Sequence, residues 1–206
     1  YDYGDRLNQI KHLKPAIKAQ DQSLPSEALR LLPKASPFDI EKLGTFYWIL
    51  GETSFEKPLL DNFKSVLEKS AALSDGRKII GVSGAARPLG TCGTFESTEF
   101  LLSFLRSGAE DISISFGEQT LLPLLLRGVC SVEQLSEIAE DENNNRIGRA
   151  VCLEVIKDFD APGNVDLFVK VVDQSTDVLV LTNAVFGLGV SESEVAIEPL
   201  RALLAR

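Results

Sequence analysis

The chain has 206 residues, 44% of them apolar and 25% charged, with 30 acidic against 21 basic side chains and a formal net charge of −9. That length holds one continuous core, or about five repeats of roughly 30 to 45 residues. The acidic balance is spread along the chain and opposes non-specific binding of nucleic acid, which needs clustered Lys and Arg. No apolar run approaches the ~20 residues that span a bilayer; the longest, Leu121–Leu126, is interrupted by Pro123 and closed by Arg127. With no basic-then-apolar leader, no membrane partner is expected and the cytoplasm is the expected compartment.

In chain order, residues 6–20 read as an opening helix, whose Pro15 and Lys-rich face over 11–18 suit a terminal cap. A repeat follows. Gly44-Thr-Phe-Tyr-Trp-Ile-Leu-Gly51, Ser83-Gly-Ala-Ala-Arg-Pro-Leu-Gly90 and Thr182-Asn-Ala-Val-Phe-Gly-Leu-Gly189 each carry a small residue seven places before a glycine, and Leu directly before it. Leu121 to Gly128 is a looser copy. Glycine past the end of a helix tolerates the left-handed conformation, so these glycines are expected to be helix stops. The small residues 44, 83 and 182 are expected to let neighbouring helices approach closely.

Thr53, Cys92, Cys130 and Ser191 lie two residues beyond the four glycines. Amphipathic segments then begin at Leu59, Leu101, Leu135, Leu167 and Leu200, with apolar residues at i, i+3 and i+4. Their starts are separated by 42, 34, 32 and 33 residues. A period in the thirties with two helices per period is the requirement of an α-solenoid. The turns within each period hold helix-starting residues: Ser36 and Asp39, Ser74 and Asp75, Asp111, Asn145, and Ser175 with Asp177.

The segment Asp141-Glu-Asn-Asn-Asn-Arg146-Ile-Gly-Arg149-Ala150-Val-Cys-Leu153 carries an acidic turn, a basic residue opening the next helix and a small residue within it. It resembles a HEAT repeat, of the armadillo-like α-solenoid superfamily, and the resemblance extends over residues 24 to 206. Arg77 also fits the basic position, whereas Ile112 and Val178 occupy that region elsewhere. The resemblance implies an all-α fold, a right-handed α-α superhelix of about five helix pairs. These pairs are 24–54, 55–93, 94–131, 132–164 and 165–191, with a closing helix over 194–205, in a single domain 1–206. A competing reading takes Arg77-Lys-Ile-Ile-Gly-Val-Ser-Gly-Ala-Ala-Arg87-Pro-Leu-Gly90 as the strand and phosphate loop of a flavodoxin-like flavin reductase, with a second strand over Gly108–Ser115.

No catalytic constellation is visible. His12 is the only histidine and has no Ser, Cys or carboxylate partner at motif spacing. Cys92, Cys130 and Cys152 form no C-x-x-C, so no metal centre and no cofactor are expected. Cys92 and Cys130 hold equivalent repeat positions, and packed helices stand about 8 to 10 Å apart, too far for a disulfide. All three read as reduced structural thiols. Glu133, Glu137, Glu140, Asp141 and Glu142 read as a solvated helix face with no calcium-loop spacing.

The second helices of HEAT-type stacks line the concave surface. Tyr47, Trp48, Arg87, Arg127, Arg146, Arg149 and Lys157 fall in or at the ends of those helices, and Trp, Tyr and Arg are enriched at binding hot spots. The expected function is a non-catalytic scaffold or adaptor that binds another protein or a peptide there. Two alternatives share the architecture. One is a phycobilin-lyase-like HEAT protein that assists bilin attachment. The other is a HEAT-like DNA glycosylase, which the charge of −9 opposes.

Overall fold

The computed structural model describes residues 56–70, 75–108, 112 and 116–204, and no strand occurs among the described residues. The fold is all-α. The opening helix, the first pair and the turn at Ser36–Asp39 lie outside the described residues.

Helix α1, Glu56–Ser70, buries Leu59, Leu60 and Phe63 on one stripe. Helix α2 runs Asp75–Cys92 and contains Pro88. Helix α3, Phe95–Ser107, buries Leu101, Leu102 and Leu105. A single π turn over Gly117–Leu121 feeds α4, Leu122–Leu126. Its cause is local. Pro123 has no amide hydrogen, and its ring crowds the carbonyl four residues back. The ladder widens, so that the Leu122 amide bonds Gly117 O, five residues behind.

Helix α5, Val132–Glu140, opens on a reciprocal cap. The Ser131 hydroxyl accepts from the Gln134 amide, and the Gln134 side chain accepts from the Ser131 amide. Asn145 caps α6, Arg146–Asp160, through Oδ1, at 2.9 Å from Ile147 N and 3.3 Å from Gly148 N. A 3-10 turn at Pro162–Asn164 leads to α7, Val165–Gln174. Asp177 then caps α8, Val178–Val190, accepting from the amides of Leu179 and Val180. After a 3-10 turn at Glu194–Ala196 comes α9, Ile197–Leu204.

The helices pack in two rows. In one row α2 meets the π turn and α4, the π turn meets α6, and α6 meets α8. In the other, α3 meets α5, α5 meets α7 and α7 meets α9. Between the rows α5 packs on α6, α7 on α8, and α3 on α6. The core runs along this seam, from Phe63, Leu89 and Leu105 through Phe116, Leu135 and Val151 to Phe168, Val180 and Leu188. Phe63 meets Phe100 and Phe104 edge-on, with ring centroids 6.0 and 5.6 Å apart, which ties α1 to α3.

Several sequence expectations change here. Residues 79–83, the strand of the phosphate-loop reading, lie inside α2, so that reading loses its first strand. Gly90 and Gly189 do not stop helices; both are helical, the described glycine with positive φ is Gly128, at +69°, and past α8 it is Glu192 that takes the positive φ, at +54°. Gly90 has another use. A Cβ there would stand 2.6 Å from Thr120 O, so its bare backbone lets α2 touch the π turn. Ser83 is buried as expected, but Thr182 is exposed, and its hydroxyl bonds Val178 O within the same helix.

Candidate partner-binding surface

The residues expected to form a binding groove do not share one fate. Tyr47 and Trp48 lie outside the described residues. Arg149 is only 4% exposed, and its Nε donates to Ala139 O at 2.9 Å. It closes the C-terminal end of α5, where carbonyls lack helical partners, and a docking protein does not reach it. Lys157 sits between Glu154, at 2.8 Å, and Asp158, at 3.2 Å. Burial alone would lower its pKa, but these two carboxylates outweigh that and hold it above the usual lysine range. Its charge is answered within its own helix.

Arg87, Arg127 and Arg146 remain. Arg87 and Arg127 are half-buried on either side of the contact between α2 and the π turn. The Arg87 guanidinium donates to Gln119 Oε1, on the π turn. Arg127 Nη1 donates to Gly90 O at 3.1 Å. Burial draws the Arg127 pKa down, and the neighbouring Cys92 and Glu56 partly oppose that shift. Both arginines therefore fasten the first row together while keeping part of their surface in water. Arg146 is different. Its side chain is 69% exposed at the start of α6, 4.0 Å from Asp177 at the start of α8. An exposed pair at that distance holds little energy, so its charge is available to a partner.

Two features escaped the sequence reading. The first is Glu56. Its Oε1 accepts from the amides of Thr94, at 2.7 Å, and Ser97, at 3.0 Å, and its Oε2 accepts from the Thr94 hydroxyl. Thr94, the N-cap of α3, caps nothing with its own side chain. Glu56 thus caps α3 from another helix, 38 residues upstream, and its charge complements the positive end of the helix dipole. Burial would raise its pKa, but the hydrogen bonds from Thr94 and Ser97 together outweigh that and hold it below the usual range. Single-sequence spacing carries no signal for such a contact.

The second is the outer face of α8. The helix is VLVLTNAVFGLGV, without an ionisable side chain. Val180, Asn183, Ala184, Gly187 and Leu188 are buried, while Val178, Phe186 and Val190 stand 77%, 58% and 55% exposed. Thr182 and Gly189 are exposed between them. The signal here was legible: a helix apolar all round is ordinarily covered on every side.

Burial pushes the Cys92 thiol up to about 12 and Cys130 to about 11, and it raises Cys152 further. All three are free, buried and protonated at neutral pH, so none is a nucleophile. Among the described residues no group of three or more His, Cys, Asp or Glu side chains is placed to hold a metal ion. No helix among them is long and apolar enough to cross a membrane. Compared with protein-family models, curated proteins and solved structures, the chain matches none of them.

Proposed function

We propose that the chain is a non-catalytic adaptor of the HEAT-like solenoid kind, which holds a protein or peptide against the outward face of the row formed by α2, the π turn with α4, α6 and α8. The observation that carries this reading is the two-row packing. Each helix of a row rests on its neighbours in that row and, where pairs form, on a helix of the other row. Stacked helix pairs of this sort leave one row facing outward as an extended surface. The polarity of that row supports a protein ligand, since half-buried Arg87 and Arg127, exposed Arg146 and exposed Phe186 are residue types that anchor interfaces.

The test compares partners captured by the tagged wild type, by Arg146→Glu and by a control on the other row, Glu137→Lys. Glu137 is exposed on α5. The reading expects a partner that is lost from Arg146→Glu and retained by Glu137→Lys. Identical partners for all three proteins remove the α6 end of this face from consideration.

A further inference from the structure

We infer that α9, with the 3-10 turn before it, is a unit that two copies of this chain exchange, each copy's α9 seating on the α7 of the other. The seat is on the page already, because α9 occupies it within its own copy. The turn at Glu194–Ala196 and α9 both pack on α7. Ala196 is 3% exposed, and Leu200 and Leu203 rest half-buried against the core. A second copy's α9 makes the same contacts on the same α7, so exchange needs no new surface.

The first ground is the connection. Ser191, Glu192 and Ser193 join the end of α8 to the 3-10 turn. Ser191 continues the helical backbone, at φ −70° and ψ −19°, and its hydroxyl donates to Leu188 O at 2.7 Å. The chain then reverses through Glu192, at φ +54°. Glycine is the ordinary residue at this place past a helix, because a Cβ in the left-handed conformation crowds the following carbonyl. A short hinge under strain favours exchange. Extension across to a second copy relieves the strain at Glu192 and keeps the seat.

The second ground is the shallowness of that seat. No residue of α9 is buried. Ile197 and Leu204 stand 46% and 89% exposed. The ion pair between Arg201 and Glu198 lies within the helix and travels with it. Release of α9 as a unit therefore uncovers little, which is the condition for local opening well short of global unfolding. The net charge of −9 on each copy and the loss of independent motion oppose the pair, so exchange belongs to high concentration and moderate salt.

Light scattering over a concentration series at moderate salt tests this, with Glu192→Gly, Glu192→Ala and Glu192→Pro measured beside the wild type. The wild type is expected to pass from monomer to dimer as concentration rises. Proline cannot adopt a positive φ and disfavours helical backbone in the residue before it. Glu192→Pro should therefore dimerise about tenfold more tightly, or better. Glycine removes the strain, and Glu192→Gly should dimerise about tenfold more weakly. Glu192→Ala drops the charge but keeps the strain, and should stay within a factor of about three of wild type. Leu203→Ala supplies the signature of exchange. In the wild-type background it weakens closed monomer and exchanged dimer alike, and should move dimerisation by no more than about twofold. In Glu192→Pro, whose monomer is open, it should weaken the dimer about tenfold. A Glu192→Pro chain that dimerises no better than wild type overturns the inference, since the hinge then opens without exchange. So does a wild-type dimer undiminished by Glu192→Gly, or a Glu192→Pro dimer untouched by Leu203→Ala. Each of these failures leaves the adaptor reading standing, because that reading is scored on captured partners and on Arg146→Glu.

Discussion

At the scale of single residues, Glu56 concentrates the most consequence in the fewest atoms. Its folded pKa lies below the usual glutamate value near 4.5. The stability it contributes is therefore fully present above that value and is lost as pH falls through the lower, folded pKa. Glu56→Gln should flatten the decline of unfolding free energy below about pH 4.5 in denaturant titrations. An acid limb as steep as that of wild type would show that Glu56 titrates alike in both states. At neutral pH, Glu56→Ala should destabilise by about 2 kcal/mol, since it strands the buried Ser97 amide and the half-buried Thr94 amide at the start of α3. The thiols make a second residue-scale prediction. An aromatic disulfide reagent at mildly alkaline pH should label Cys92, Cys130 and Cys152 only as fast as the chain unfolds. Prompt labelling of the native protein would contradict the burial of these side chains.

At the scale of elements, two helical glycines predict opposite outcomes. A Cβ on Gly148 would stand 1.9 Å from Leu105 O, so Gly148→Ala must push α6 off the end of α3. The expected loss is about 1–3 kcal/mol. Gly189 has open space around it, and Gly189→Ala should raise the thermal stability of dilute protein by about 0.5–1 kcal/mol. Thermal melts of the two variants check both signs. This contrast also marks how far sequence carries. The amphipathic stripes at Leu59, Leu101, Leu135 and Leu167 and the caps at Asn145 and Asp177 were legible, because period and cap chemistry are local. The glycines were not. Gly90, Gly128 and Gly189 share one motif position but are a close contact, a left-handed stop and an exposed helical position with open space around it. Which role each takes depends on what lies across from it. Arg149 misled for the same reason, since an arginine on a second helix reads as a surface residue until Ala139 O is found against it.

At the scale of the whole molecule, the all-α class followed from periodicity, whereas the two rows depend on contacts that span the chain. Those contacts do more than align helices. Where α6 begins, the Asn145 amide donates to Arg106 O at 2.8 Å, and Gly148 lies against Leu105 O. Where α3 begins, Glu56 reaches forward from α1. Helices α1 and α3 thus each hold the start of a helix further along the chain. The consequence concerns what happens when the backbone is severed. The exposed turn at 141–143 offers a protease a place to cut, yet a cut there removes none of the contacts between α6 and α3, α5, α8 or the π turn. The two pieces should stay together on a native gel and separate only in denaturant. Pieces that part on cleavage would mean that the covalent chain, rather than the interlock, keeps the rows in register.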